Sequence, residues 1–184
     1  KIKTPSGALW LTIPVKHKSG QLLSGTFPCE ELNWREKHWK SLKTNYARTA
    51  FIKEYEPIFT ELYSHQDISL AGVNMLFNKT IAKLMGIKTE FVKSSDLKVP
   101  GHSNEKIIGL CKAIGADVYL SGQGAKAYME DNLFLNNNIQ VKYQEFLSPV
   151  YRQIGEKFIS NLSVVDFLFN CGGDEFARLS NNLK

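Results

Sequence analysis

Apolar positions along the chain follow two periods. Leu9, Leu11, Ile13 and Val15 alternate with Trp10, Thr12 and Pro14, which predicts a strand with its aliphatic set on one face and Pro14 at an edge or an end. A polar turn at Lys18-Ser19-Gly20 leads to a second extended stretch near 22–27, so the two together read as an N-terminal hairpin. From residue 33 the spacing changes to three and four. Asn33-Trp34-Arg35-Glu36 reads as a capping box, Asn33 capping and Glu36 reaching back, that opens a helix to about Tyr46. Trp39, Leu42 and Tyr46, with His38 alongside, form its apolar face. Pro57 should end a helix begun at Phe51 and suits the first turn of a new one carrying Phe59, Leu62 and Tyr63. The longest periodic segment, 68–85, turns Leu70, Val73, Phe77, Ile81 and Leu84 inward and stops at Gly86. Residues 33–86 are therefore a helical segment.

Beyond it, short apolar runs alternate with helix-period stretches. The pattern predicts a strand at 88–92, a helix with Ile107, Ile108, Cys111 and Ile114 on one face closed by Gly115, a strand at 117–120, a second helix at about 125–135 and a third strand at 139–143. Such alternation predicts a Rossmann-like parallel sheet with flanking helices. The expected fold is a single α/β domain over 1–184, with the hairpin and the helical insertion preceding a β-α-β-α-β ligand-binding core at 87–146. Loops leaving the carboxyl ends of parallel strands form the ligand crevice of such folds. That rule gathers Ser94, Ser95 and Asp96, then Ser121, Gly122, Gln123 and Gly124, then Gln144 and Glu145 onto one rim. The glycines would let backbone N–H groups approach an anion at the start of the following helix. Ser-Gly-x-Gly is also an ordinary tight turn. Near the end, Ser163-Val164-Val165-Asp166 is a second capping box, ahead of Phe167, Leu168 and Phe169.

Composition narrows the function classes. At 184 residues and 43% hydrophobic, the chain can bury one substantial core. No apolar run has the length of a membrane span and no signal-peptide pattern opens the chain, so a cytoplasmic location is expected. Cys29, Cys111 and Cys171 lack ligand spacing, and His17, His38, His65 and His102 are scattered, so no structural metal is expected and free thiols are. The net charge of +5 favours anionic partners. Positive charge is densest between Arg35 and Arg48, either as a solvated basic helix face or with His38 or Lys40 against a phosphate. His38 fits equally well as a hydrogen-bonded histidine at the edge of the core. Gly172-Gly173-Asp174-Glu175-Phe176 spells a diguanylate cyclase signature, but only eight residues follow Phe176, too few to complete such a domain. The two glycines read instead as the stop of the helix over 164–170.

Three blocks carry a likeness to a known family: Lys1-Ile2-Lys3-Thr4 through Trp10 to Val15, Trp34 to Tyr46 around Lys37-His38-Trp39-Lys40, and Gly115 to Gly122. Pro149-Val150-Tyr151, Leu162-Ser163 to Asp166 and Phe169-Asn170-Cys171-Gly172 extend it. In this order they resemble the WbqC-like family of bacterial proteins, often associated with O-antigen and other surface-polysaccharide biosynthesis. The resemblance implies a strand-turn-helix ahead of Lys1, and with it a nucleotidylyl-transferase-like sheet. The function it implies is an enzyme that modifies a nucleotide- or lipid-linked sugar, as a transferase of an acyl or aminoacyl group to an amino sugar. ATP or a nucleotide-sugar would be the bound cofactor or donor. In that scheme Ser121, Gly122 and Gly124 cradle the anion, Lys40 or Lys16 supplies a cation, and His38 relays a proton. A non-catalytic scaffold of a polysaccharide assembly complex is the alternative. RNA binding through the basic helix is a second, disfavoured because Trp34, Trp39 and Tyr46 make no regular aromatic platform.

Overall fold

The computed structural model describes residues 1–16, 18–66 and 68–181, and among 174–181 the side chains of 174–176, 178 and 179. His17 lies outside the described residues. The chain divides into two compact units, one formed by Lys1–Thr89 with Ser148–Lys184, the other by Glu90–Leu147.

The first unit opens on an antiparallel hairpin of β1 (Ile2–Thr4) and β2 (Gly7–Leu9), earlier than the alternation at 9–15 predicts. Pro5 and Ser6 form its turn, Thr4 Oγ1 donating 2.8 Å to the Gly7 carbonyl. Residues 11–15 run without a ladder apart from one bridge between Val15 and Pro28. Pro14 cannot donate, yet its carbonyl accepts from the Cys29 N–H at 2.8 Å, so this stretch and 28–29 keep a single bridge in place of the hairpin expected between 9–15 and 22–27.

Helix α1 (Trp34–Tyr46) buries Trp34, Arg35, His38, Trp39, Leu42 and Tyr46 along one stripe. Asn33 does not cap it as the sequence suggests. Its backbone is left-handed (φ 50°) after a 3-10 turn at Glu30–Leu32, which turns the side chain away from the helix N–H groups. Helix α2 (Ile52–Ser64) runs unbroken through Pro57. Pro57 and Lys53, whose carbonyl loses its partner, are both exposed, so water can serve that oxygen while Ile52, Tyr55, Phe59 and Leu62 remain buried. Helix α3 (Leu70–Leu84) starts where Ser69 caps the Gly72 N–H and stops at Gly86, φ +70°.

In the second unit the predicted Rossmann-like sheet is absent. Residues 88–92 form no strand; Phe91 and Val92 are exposed and have no neighbouring strand, without which β-propensity has nothing to act on. Helix α4 (Ser103–Ala113) buries Ile108 and Cys111 and leaves Ile114 exposed just past its end, with Gly115 at φ +68°. What exists of the sheet is one parallel pair, β3 (Val118–Ser121) and β4 (Gln140–Tyr143), in register Val118↔Gln140 to Ser121↔Tyr143. Between them lie a 3-10 turn at Gln123–Ala125 and the short helix α5 (Asp131–Leu135), in place of the long helix expected there. Tyr119 and Val141 face the small core of Ile108, Cys111, Phe134 and Ile139, while Leu120 is 61% exposed on the other side. A doubly wound sheet is covered on both faces; this pair is covered on one.

The chain then returns to the first unit through α6 (Val164–Cys171) and α7 (Gly173–Asn181). Helix α6 is the centre of the larger core. Phe169 and Leu168 are fully buried, and the Phe169 ring meets Phe59 at 5.0 Å and Tyr46 at 5.3 Å in edge-to-face contacts. The 172–176 string sits at the junction and start of two helices, not on a hairpin, with Gly172 at φ +80° ending α6.

Candidate functional site

Asp166 stands in an apolar run, and the structure buries it completely. It does not close a capping box. The Ser163 side chain caps the Val165 N–H, and the Asp166 carboxylate turns inward, where Oδ1 accepts from the Tyr46 hydroxyl and Oδ2 from the Tyr151 hydroxyl, each at 2.7 Å. Tyr46 Oη in turn accepts the Lys3 backbone N–H at 2.8 Å. One carboxylate thus ties together α1, α6, β1 and the loop after residue 148. Burial pushes both phenols well above their ordinary range, and the adjoining carboxylate adds to the effect. They are hydroxyl donors at any physiological pH.

The same node places Lys3. Its side chain is 7% exposed, and its ammonium donates to Gln153 Oε1 at 3.3 Å and to the Lys157 carbonyl. Gln153 is itself clamped: its amide donates to the Ile159 carbonyl and its oxygen accepts the Ile159 N–H, both at 2.9 Å. This bracing sets the loop 154–158, where a Cβ at Gly155 (φ +81°) would stand 4.0 Å from Lys3 Nζ. An ammonium carries three donors and both acceptors found are neutral, so one N–H and the whole charge are left without a protein counterpart among the described residues. Lys3 lines a cleft of about 1030 Å³ bounded by the hairpin turn, the end of α1 and the 154–159 loop, with Arg48, Lys157 and Glu156 on its walls.

A second cavity, about 310 Å³, is lined by Lys1 and Ile2, Trp34, His38 and Leu42 of α1, and Val73, Phe77 and Ile81 of α3. His38 Nε2 sits 3.1 Å from the Thr12 carbonyl oxygen. Burial lowers its pKa, with the Thr12 contact pulling the other way. In the unfolded chain the imidazole titrates near 6.5, so as pH falls below that value the unfolded state takes up the proton and the folded state resists. The contribution of a neutral His38 is therefore present above 6.5 and lost as pH falls through its depressed folded value. We predict that His38→Gln flattens the pH dependence of the urea midpoint between about pH 5 and 7. An unchanged slope would show that another group sets it.

The other residues singled out in the sequence lie apart. Lys40 is exposed on α1. Lys16 pairs with Glu31 at 2.8 Å, both side chains largely in water, which raises the lysine pKa and lowers that of the glutamate. Ser94, Ser95 and Asp96 occupy an exposed turn in which Ser95 Oγ donates to Asp96 at 3.2 Å, and no strand leads into it. Ser121 is buried at the end of β3; Gly122 is extended (φ −74°, ψ 152°), and neither Gly122 nor Gly124 adopts the positive φ that would require glycine. The expected rim of three strand exits forms only in part: β3 and β4 pair and bring Ser121 and Gln144 together, with the Gln144 N–H donating to the Ser121 carbonyl at 2.7 Å, while residues 88–92 form no strand to join them. Lys3, Gln153 and Asp166 were not read from the sequence as site residues. An acid inside an apolar run and a tyrosine on an inward helix face were the available signals, since both need buried partners, but neither names the other.

These features define a mixed α/β protein with a buried Tyr-Asp-Tyr node that holds an unneutralised lysine at a cationic cleft. The chain belongs to the WbqC-like protein family, which matches residues 1–178. It is 28% identical over 183 residues to the uncharacterized protein Rv1507c of Mycobacterium tuberculosis, an alignment spanning 95% of this chain and 77% of that protein. No solved structure matches the chain. No described helix is long and apolar enough to cross a membrane, and no group of three or more His, Cys, Asp or Glu side chains gathers among the described residues.

Proposed function

We propose that this protein is an enzyme of bacterial surface-polysaccharide biosynthesis that binds the phosphate-bearing part of a nucleotide- or lipid-linked sugar in the Lys3 cleft. The observation that carries the reading is the buried Lys3 ammonium, held by two neutral oxygens beside an open cleft. A cation taken largely out of water keeps its charge most cheaply against an anion, and the free third donor points to an acceptor from outside the chain. Arg48 and Lys157, opposed by the single carboxylate of Glu156, leave the walls net positive. The cleft has the volume of a small-molecule site of nucleotide-sugar size. Within this reading the reaction is transfer of an acyl or aminoacyl group to an amino sugar; the proton relay first considered for His38 falls outside this cleft, because His38 lines the smaller cavity. Lys3 takes the charge-balancing role first considered for Lys16 and Lys40, because those two lie in water.

The test is calorimetric titration of the protein with UDP and with UDP-N-acetylglucosamine at two ionic strengths. Lys3→Met, which keeps the stem and removes the charge, is expected to weaken binding by about tenfold or more, in line with the loss of a charge-assisted bond. Lys40→Met serves as the control and should leave binding unchanged. Equal affinity in wild type and Lys3→Met, or no binding of either probe, overturns the cleft assignment and favours the scaffold reading. The 121–124 turn is tested in the same series. A Cβ at Gly122 or Gly124 meets open space, so valine there leaves the fold intact and any lost affinity reports on ligand contact.

A further inference from the structure

Phe158 stands on the wall of the Lys3 cleft without serving the interior. Among the described residues it packs in neither hydrophobic core, and it is 39% exposed. A phenyl ring left in water forgoes the gain of burial, yet the chain fixes this one firmly. On one side of it the Lys157 carbonyl accepts from the Lys3 ammonium; on the other, the Ile159 N–H and carbonyl both bond the Gln153 side chain at 2.9 Å. The Tyr151 ring, itself tied to Asp166 through its hydroxyl, stands perpendicular to Phe158 with centroids 5.7 Å apart.

A perpendicular neighbour covers at most one face of a ring. No second aromatic ring and no cation stacks on Phe158 among the described residues. Because Lys3 bonds the carbonyl of the residue before Phe158, ammonium and ring are neighbours on one wall of the cleft. Phosphate and base are neighbours in the same sense, joined through one ribose. A base brings a π face for the ring and, at its edges, donors and acceptors that Ser6, Thr44 and Asn45 on the same cleft can meet. A prenyl chain also covers a phenyl ring, but it would take those three polar side chains out of water with nothing to bond.

We propose that Phe158 is the platform on which the base of a nucleotide stacks while Lys3 holds its phosphates, so that the cleft takes a nucleotide-linked sugar and not a lipid-linked one. This deepens the assignment of a phosphate to the Lys3 cleft and rests on it.

The full chain is titrated calorimetrically with UDP, pyrophosphate and farnesyl diphosphate, which share a diphosphate and differ in what is attached to it. UDP is expected to bind about tenfold or more tightly than pyrophosphate. Phe158→Leu, which keeps an apolar side chain and removes the π face, should erase that advantage and leave pyrophosphate binding unchanged, whereas Phe158→Tyr should retain it. The residue lies outside both cores, so these variants are expected to fold. Proton NMR gives a second readout. The uracil H5 and H6 signals of UDP should move upfield with the wild-type protein, through the ring current of a stacked phenyl, and not with Phe158→Leu. UDP no tighter than pyrophosphate, full UDP affinity in Phe158→Leu, or farnesyl diphosphate tighter than UDP would each overturn the base assignment, and pyrophosphate binding that is lost in Lys3→Met would then leave the phosphate reading standing alone. No binding of any of the three probes overturns both.

Discussion

Gly173→Ala is expected to destabilise the protein by about 3 kcal/mol or more, and to do so without touching any candidate ligand residue. A Cβ at this position would drive into the carbonyl oxygen of Leu84, with the Leu84 carbonyl carbon at 2.9 Å, so the obstacle is main chain at the end of α3 and not a side chain that can rotate away. The same residue donates its N–H to the Tyr55 hydroxyl at 2.8 Å, in the interior. Any shift that relieves the clash breaks that bond, so overpacking and the loss of a buried hydrogen bond add. Chemical denaturation measures the effect as a drop in urea midpoint. A midpoint within a few tenths of the wild-type free energy would show that α7 is not packed on α3 in solution. The two glycines of the cyclase-like string are thus accounted for by helix packing: Gly172 through its positive φ and the Phe51 ring 2.8 Å from its would-be Cβ, Gly173 through the Leu84 backbone.

Asp166→Ala should cost about 2–5 kcal/mol, because it strands two phenolic hydroxyls, each carrying the penalty of an unmet buried donor, about 1–3 kcal/mol. Tyr46 is fully buried and has no route to water. Asp166→Asn keeps one acceptor oxygen and offers an N–H₂ to the second hydroxyl, which can rotate to accept, so roughly half the penalty is expected. The decisive second readout is amide exchange at Lys3. Its N–H is held by the Tyr46 oxygen that Asp166 orients, so exchange at that position should accelerate in Asp166→Ala beyond what the global loss of stability predicts. Exchange that merely tracks global unfolding would mean that the node supports the core without positioning the strand that carries Lys3.

How much of this was legible beforehand differs from element to element. Helix α1 was readable because Trp39, Leu42 and Tyr46 repeat at the spacing of one face, and α3 because an apolar stripe runs to a stop at Gly86. Pro57 misled because its cost depends on which face it occupies; on the solvent face of α2 the orphaned carbonyl meets water. Asn33 misled because a cap is a backbone conformation before it is a residue type. The run at 88–92 has strand composition and no partner, and partnership is not encoded within five residues. The Ser121–Gly124 turn resembled a phosphate cradle, but the helix that would have supplied its N-terminus is a three-residue 3-10 turn.

Local periodicity, caps and glycine stops determined by themselves where the main helices of this protein lie, that the chain is mixed α/β, and to which family it is similar. These depend on interactions within a few turns of the backbone. Only the tertiary structure decided that Lys3, Tyr46, Tyr151, Gln153 and Asp166, up to 163 residues apart in sequence, share one buried network, and that Trp34 and His38 face a common cavity. The reason is physical. A buried polar group must find partners, but any donor of suitable geometry satisfies that demand, and which one does is settled by the packing of elements distant in the chain.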